Sequence, residues 1–240
     1  MDNSIDFRVW GRFALFTDPI TKIGGEKCSY HVPTYEALKG IARSIYWKPT
    51  FIWMVDRVRV MKRIRTQSKG MKPLDYMSGG NNLALYTYLS DVEYQVRVHF
   101  EWNEHLPELA GDRNDGKHYS VAKRMLERGG RRDIFLGTRE CQGYAEPCHF
   151  GEGKSELDGD GELALGLMFH SFGYPEETAV NELRSRFWMP KMADGIIEFL
   201  RPEECEVTKF VRPMLPETKF TLRVNFSGLK EEELEEGLLE

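Results

Sequence analysis

The tetrapeptide Gly116-Lys117-His118-Tyr119 sets a cation beside a side chain that titrates near neutral pH. Both stand where a helix is expected to begin, at the end whose dipole favours anions. A phosphate could therefore be bound and a proton moved at one place, although a lone Lys-His pair is more often plain surface. Between Arg57 and Leu74 stand seven basic residues and no acidic one: Arg57, Arg59, Lys62, Arg63, Arg65, Lys69 and Lys72. Arg57 and Arg59 alternate with Val58 and Val60, so on a strand both leave one face, as a track for a phosphate backbone would require. A solvated face is the competing reading. Gly129-Gly130-Arg131-Arg132 places two arginines at a turn whose glycines could let backbone N–H groups approach a phosphate. Read plainly, it is a helix cap with two exposed charges.

Metal chemistry finds little support. Cys141, Cys148 and His149 lack a CxxC pair and a fourth ligand. The loop with Asp158, Asp160 and Glu162 would need a glutamate at its twelfth position to hold calcium, and Phe169 stands there. His31, His99, His105, His149 and His170 show no ligand spacing, and no HExxH, P-loop, GxSxG or dinucleotide-binding motif occurs. No metal and no cofactor are expected.

These residues need positioning elements. A strand is expected from Ile5 to about Phe16, then a loop with Asp18-Pro19 and Gly24-Gly25. Pro33-Thr34 opens a helix with Tyr35, Leu38, Ala42 and Ile45 on one face; Pro49 stops it and leaves Tyr46 on its last turn. Phe51–Met61 reads as a strand and 62–82 as a basic loop. Residues 86–102 read as a long strand, bent near Ser90-Asp91, with Val92, Tyr94, Val96, Val98 and Phe100 alternating against polar positions. A helix over about 117–128, capped by Gly129-Gly130, and a strand over 133–141 complete the order βαββαβ. The fold class is thus α+β, ferredoxin-like, with an open sheet face of the kind that binds single-stranded RNA. The RNA-recognition signature of ordinary members is absent. Short apolar stretches after Gly143 predict a small antiparallel β-sheet domain.

Charge divides the chain similarly. The net charge of −5 splits into +6 over residues 1–143 and −11 over 144–240. Any phosphate-binding surface is expected in the front part. We therefore divide the chain into a ferredoxin-like RNA-binding and catalytic domain at 1–143, a small β-sheet domain at 144–205, and an unassigned acidic tail at 206–240 that includes Glu231–Glu236. No apolar run approaches the roughly 20 residues of a membrane span. The polar N-terminus and four scattered cysteines suit a reduced, cytoplasmic protein.

Several long blocks resemble a known family. They are Phe16-Thr17-Asp18-Pro19 with Lys22–Lys27, Pro33–Ile41, Ser44–Thr50, Asp112–Ser120, Gly129–Gly137 and Arg139–Tyr144. Together they resemble the subtype I-C branch of the fifth CRISPR-associated (Cas) protein family, within the RAMP superfamily, over about residues 5–205. The resemblance implies a ferredoxin-like domain followed by a small C-terminal β-sheet. It also implies an endoribonuclease that cuts CRISPR repeat transcripts into guide RNAs and then stays on the 5′ handle. The implied partners are the repeat and guide RNA, other subunits of the surveillance complex and, within it, target DNA. The implied catalytic residues are Tyr46, Lys117 and His118. RNA supplies its own nucleophile in the 2′-OH, so a proton acceptor, a proton donor and a cation suffice, with no metal. His118 suits general base or acid. Lys117 would stabilise the phosphorane. Tyr46, with an ordinary pKa of about 10, suits a positioning or proton-sharing hydroxyl. Arg57, Arg59, Lys62, Arg63, Arg65, Arg131 and Arg132 are the expected RNA contacts. A non-catalytic RNA-binding scaffold and a metal-dependent DNA nuclease are the alternatives.

Overall fold

The computed structural model describes residues 3–22, 26–74, 77 and 79–216. The Gly24-Gly25 turn and the acidic run at 231–236 lie outside them. Strand β1 (Ser4–Ala14) buries Ile5, Phe7 and Val9 and leaves Asp6, Arg8 and Trp10 partly exposed, the alternation of a half-covered sheet. Helix α1 (Tyr35–Ile45) starts at Thr34, whose Oγ1 accepts from the Ala37 N–H at 3.2 Å. It ends at Tyr46, which is extended and gives its N–H to the Ala42 carbonyl. Strand β2 (Phe51–Val60) follows Pro49.

Thr66–Met71 forms a strand, β3, where a loop was expected. Its residues lack apolar alternation because both faces are largely exposed; backbone pairing to the first part of β4 (Ala84–Trp102) holds it. β4 bends at Asp91, which adopts φ +53°. Before the bend it pairs with β3 and with Lys27-Cys28; its remainder runs between β1 and β2. Helix α2 (Asp115–Glu127) is capped by Asn114 and ends in a Schellman turn, with Gly129 N–H on the Leu126 carbonyl and Gly130 N–H on that of Met125.

The expected strand at 133–141 is reduced to β5 (Ile134–Phe135), and pairing resumes at β6 (Gln142–Pro147). Gly137 explains the break. It has φ +95°, and a Cβ there would lie 2.0 Å from the Leu15 carbonyl oxygen, so the chain turns tightly over β1. The central strands run β6-β1-β4-β2, each antiparallel to its neighbour. The buried faces of both helices join one core with Phe7, Val9, Val96 and Val98.

β6 runs across position 143. β7 (Glu162–Ala164), β10 (Lys191–Ala193) and β11 (Ile196–Glu198) extend the same sheet beyond β2, so later residues complete the front sheet. The second, three-stranded sheet contains β8 (Met168–Gly173), β9 (Glu182–Trp188) and β12 (Val207–Pro213), the last within the stretch left unassigned. Among the described residues no helix is long and apolar enough to cross a membrane.

Candidate functional site

Tyr46, Lys117 and His118 come together at one end of the helix layer. Tyr46 is there because α1 ends on it; Lys117 and His118 are there because Asn114 starts α2 just before them. The Tyr46 hydroxyl lies 2.9 Å from His118 Nδ1. His118 Nε2 lies 2.7 Å from the Asp112 main-chain carbonyl, which can only accept. In the neutral ring the proton therefore sits on Nε2, and Nδ1 accepts from the Tyr46 O–H. The ring has no exposed surface and is walled by Phe51 at 5.3 Å and Trp102 at 5.7 Å between centroids. A surface histidine was the plain reading of the sequence; this one lies at the bottom of the site.

Lys117 is half exposed, and its Nζ ion-pairs with Asp112 Oδ1. Thr50 Oγ1 donates to Asp112 Oδ2 at 2.9 Å. Hydrogen bonds from Lys117 and then from Thr50 hold the Asp112 carboxyl down at about 2. The bond to Asp112 raises the Lys117 ammonium above its ordinary value. Tyr46 is raised too, first by burial and then by the Asp112 charge, so it remains a protonated hydroxyl at neutral pH. The set can bind an anion at Lys117 and pass a proton between a phenol and an imidazole. Asp112 and Thr50 escaped sequence reasoning. Asp112 lies between the expected strand at 86–102 and the expected helix at 117–128, and Thr50 reaches it across 62 residues.

The expected RNA contacts fall into two groups. Arg131 and Arg132 are exposed and sit beside Tyr46, with their N–H groups on the Ser44 and Ile45 carbonyls of α1. Gly129 and Gly130 N–H groups are equally committed to the α2 cap, so this turn can offer guanidinium groups to a phosphate but not its backbone. Arg57 and Arg59 of β2 lie on the other face of the sheet, under a loop spanning 148–161, and Lys62, Arg63 and Arg65 follow the end of that strand. Arg59 is 6% exposed; it donates to the Glu152 and Gly153 carbonyls and pairs with Asp158 at 2.9 Å. Arg63 pairs with Asp160 at 2.8 Å and gives its N–H to Glu156. Lys62 pairs with Asp91 at 2.7 Å. Arg57 lies over the Phe150 ring at 4.6 Å, and Arg65 is exposed. Both Nη atoms of Arg59 are engaged by the loop, which its guanidinium holds down.

Among the described residues no group of three or more His, Cys, Asp or Glu is arranged to hold a metal ion. All four cysteines are free thiols, Cys141 and Cys205 buried and Cys28 and Cys148 partly so.

The chain is 31% identical over 234 residues to the CRISPR pre-crRNA endoribonuclease Cas5d of Mannheimia succiniciproducens, covering 82% of this chain and 95% of that one. It is 28% identical over 218 residues to the protein of the same name from Thermus thermophilus, covering 86% and 83%. Two crystal structures share its fold, each covering 86% of this chain and 96% of the other. One is of a CRISPR-associated protein, with TM-score 0.74 and 37% identity. The second is of a functionally uncharacterized Streptococcus mutans protein, with TM-score 0.72 and 39% identity. Residues 4–200 match the family described as CRISPR-associated protein, Cas5, in its Cas5d form, and the chain belongs to that family.

Proposed function

We propose that this chain is a metal-independent endoribonuclease that cuts CRISPR repeat transcripts into guide RNAs and stays on the 5′ handle as a subunit of a surveillance complex. The relatives' name supports RNA cleavage. The observation that carries the chemistry is the 2.9 Å contact between the Tyr46 hydroxyl and His118 Nδ1, with Lys117 beside it. The 2′-OH attacks the adjacent phosphorus, and the bond to the 5′-oxygen breaks. The proton leaving the 2′-oxygen passes to Tyr46 as Tyr46 passes its own to His118 Nδ1, and the imidazolium returns it through the same hydroxyl to the departing 5′-oxygen, which leaves as a 5′-OH. The Lys117 ammonium faces the charge gathering on the phosphorane. His118 has no exposed surface and Tyr46 is 3% exposed, so the 2′-OH would reach the pair at the Tyr46 hydroxyl.

The order β6-β1-β4-β2, with two helices sharing one core, supports a ferredoxin-like assignment for the front part. Arg131 and Arg132, beside Tyr46, are the foremost RNA contacts; Arg57, Arg65, Lys62 and Arg63 are candidates for a second track, and Arg59 braces it. Target DNA would be met only within the assembled complex, in the cytoplasm.

A second reading, a non-catalytic RNA-binding subunit, is favoured by one observation: His118 is fully buried with both ring nitrogens satisfied, as a structural histidine would be. Single-turnover cleavage of a repeat hairpin separates the two. His118→Ala and Tyr46→Phe should each lower the rate on the order of 100-fold or more while binding changes little. Rate and binding lost in parallel would make them structural or RNA contacts and leave the scaffold reading.

A further inference from the structure

We propose that Asp112 is the positioning residue of this site, its main-chain carbonyl orienting His118 and its carboxylate orienting Lys117. The inference rests on the catalytic reading above and adds to it the group that sets the geometry. Asp112 ends a short 3-10 turn, Pro107–Asp112, immediately before α2. Its carbonyl lies 2.7 Å from His118 Nε2 and its Oδ2 3.4 Å from the same atom. Its Oδ1 takes the Lys117 ammonium, and Thr50 anchors the carboxylate from the segment that also carries Tyr46. One residue thus touches both partners on α2 and is tied to the chain that delivers the third.

Two consequences follow from the donor and acceptor inventory. A carbonyl at Nε2 leaves Nδ1 unprotonated toward Tyr46, which is the tautomer a proton relay through that hydroxyl needs. When Nδ1 accepts the proton, both ring nitrogens carry one, and the carbonyl and carboxylate of Asp112 face the new cation. This is the role a third group plays behind an acid–base histidine in general. On the other side, a lysine on the first turn of an exposed helix has several rotamers. The ion pair holds its ammonium beside Tyr46 rather than out in solvent, where misplacement by about 1 Å can cost on the order of 100-fold. Depression of the Asp112 carboxyl below its usual range agrees, since the anion is present throughout the neutral range.

The test uses the full chain, a repeat hairpin RNA, and the same RNA with a 2′-deoxy nucleotide at the cut. Asp112→Ala should lower the single-turnover rate by about 30-fold or more, while the Kd for the deoxy RNA moves by less than about threefold. Added to Lys117→Met, Asp112→Ala should cost less than about a further fivefold, because its carboxylate then has no ammonium to hold. Nitrogen-15 shifts of the His118 ring should report the Nε2–H tautomer. A wild-type rate for Asp112→Ala, full additivity with Lys117→Met, or an Nδ1–H tautomer would each overturn the proposal. If Asp112→Ala does not fold, Asp112→Asn replaces it, and a wild-type rate there is equally fatal. His118→Ala is run alongside. If it cuts normally, the catalytic reading has failed and takes this one with it. If it is inactive while Asp112→Ala is not, only the role of Asp112 has failed.

Discussion

Two basic regions of this molecule look alike as strings of letters and differ in three dimensions. The run from Arg57 to Arg65 begins on the loop-covered face of the sheet, and much of its charge is answered by carboxylates: Asp158 for Arg59, Asp160 for Arg63, Asp91 for Lys62. The shorter pair Arg131-Arg132 stands exposed beside Tyr46, and among the described residues neither forms an ion pair. A count of like charges along a chain measures what a region holds, whereas its availability to a phosphate depends on acids elsewhere. Here two of those acids, Asp158 and Asp160, sit on a loop some 97 to 99 residues downstream, and Asp91 sits 29 residues away at the bend of β4. Asp158 and Asp160 are thereby engaged inside the chain.

The largest expected effect concerns the brace. Arg59→Ala should lower unfolding stability by about 2 kcal/mol, because it removes a buried side chain and takes from the loop the donor of the Gly153 carbonyl and a partner of Asp158. Urea unfolding measures this. A loss under about 1 kcal/mol would mean the loop does not depend on Arg59 and would blur the contrast between the two regions.

A smaller effect separates the regions by salt dependence of RNA binding. Neutralising Arg131 and Arg132 together should reduce the log–log slope by about 1.4, roughly 0.7 for each single-stranded phosphate contact. Neutralising Lys62 and Arg63 together should reduce it by less than about 0.7, since both already have acid partners. The reverse ranking would place the RNA on the β2 face.

The smallest effect is a pH dependence confined to the β2 face. His99 is raised above its ordinary value by its bond to Asp56, against the opposing effect of burial, with Glu101 adding to it. A raised folded value means the contribution is full below the unfolded value of about 6.5 and fades as pH climbs through the folded one. Stability should therefore decline by under about 1 kcal/mol between pH 6 and pH 8. His99→Gln should remove that decline and leave RNA cleavage untouched. An unchanged slope in the variant would assign the pH dependence elsewhere.

What could be read from the chain follows the range of the forces. Tyr35, Leu38, Ala42 and Ile45 showed α1, and the bend at Asp91 and the Gly129-Gly130 cap showed themselves, because each is a local signal. β3 stayed hidden because Thr66–Met71 is held by backbone pairing and buries almost nothing. The break at Gly137 stayed hidden because the Leu15 backbone that forbids a side chain there is distant in sequence. In the candidate site, Lys117 and His118 were legible as a pair of chemical types. Tyr46 entered through resemblance, since a tyrosine ending a helix carries no signal of its own. The burial of His118, and Asp112 behind it, depend on Phe51, Trp102 and Thr50, which only the folded chain brings near.

The central claim is that this protein cuts RNA with its own side chains and the substrate's 2′-OH. A repeat hairpin incubated with purified protein in excess EDTA, beside one carrying a single 2′-deoxy nucleotide 5′ to the cut, tests it most directly. The account predicts that the first is cut to a 2′,3′-cyclic phosphate and a 5′-OH, and that the second is bound but left whole. Normal cutting of the deoxy substrate, or loss of cleavage in EDTA, would contradict it.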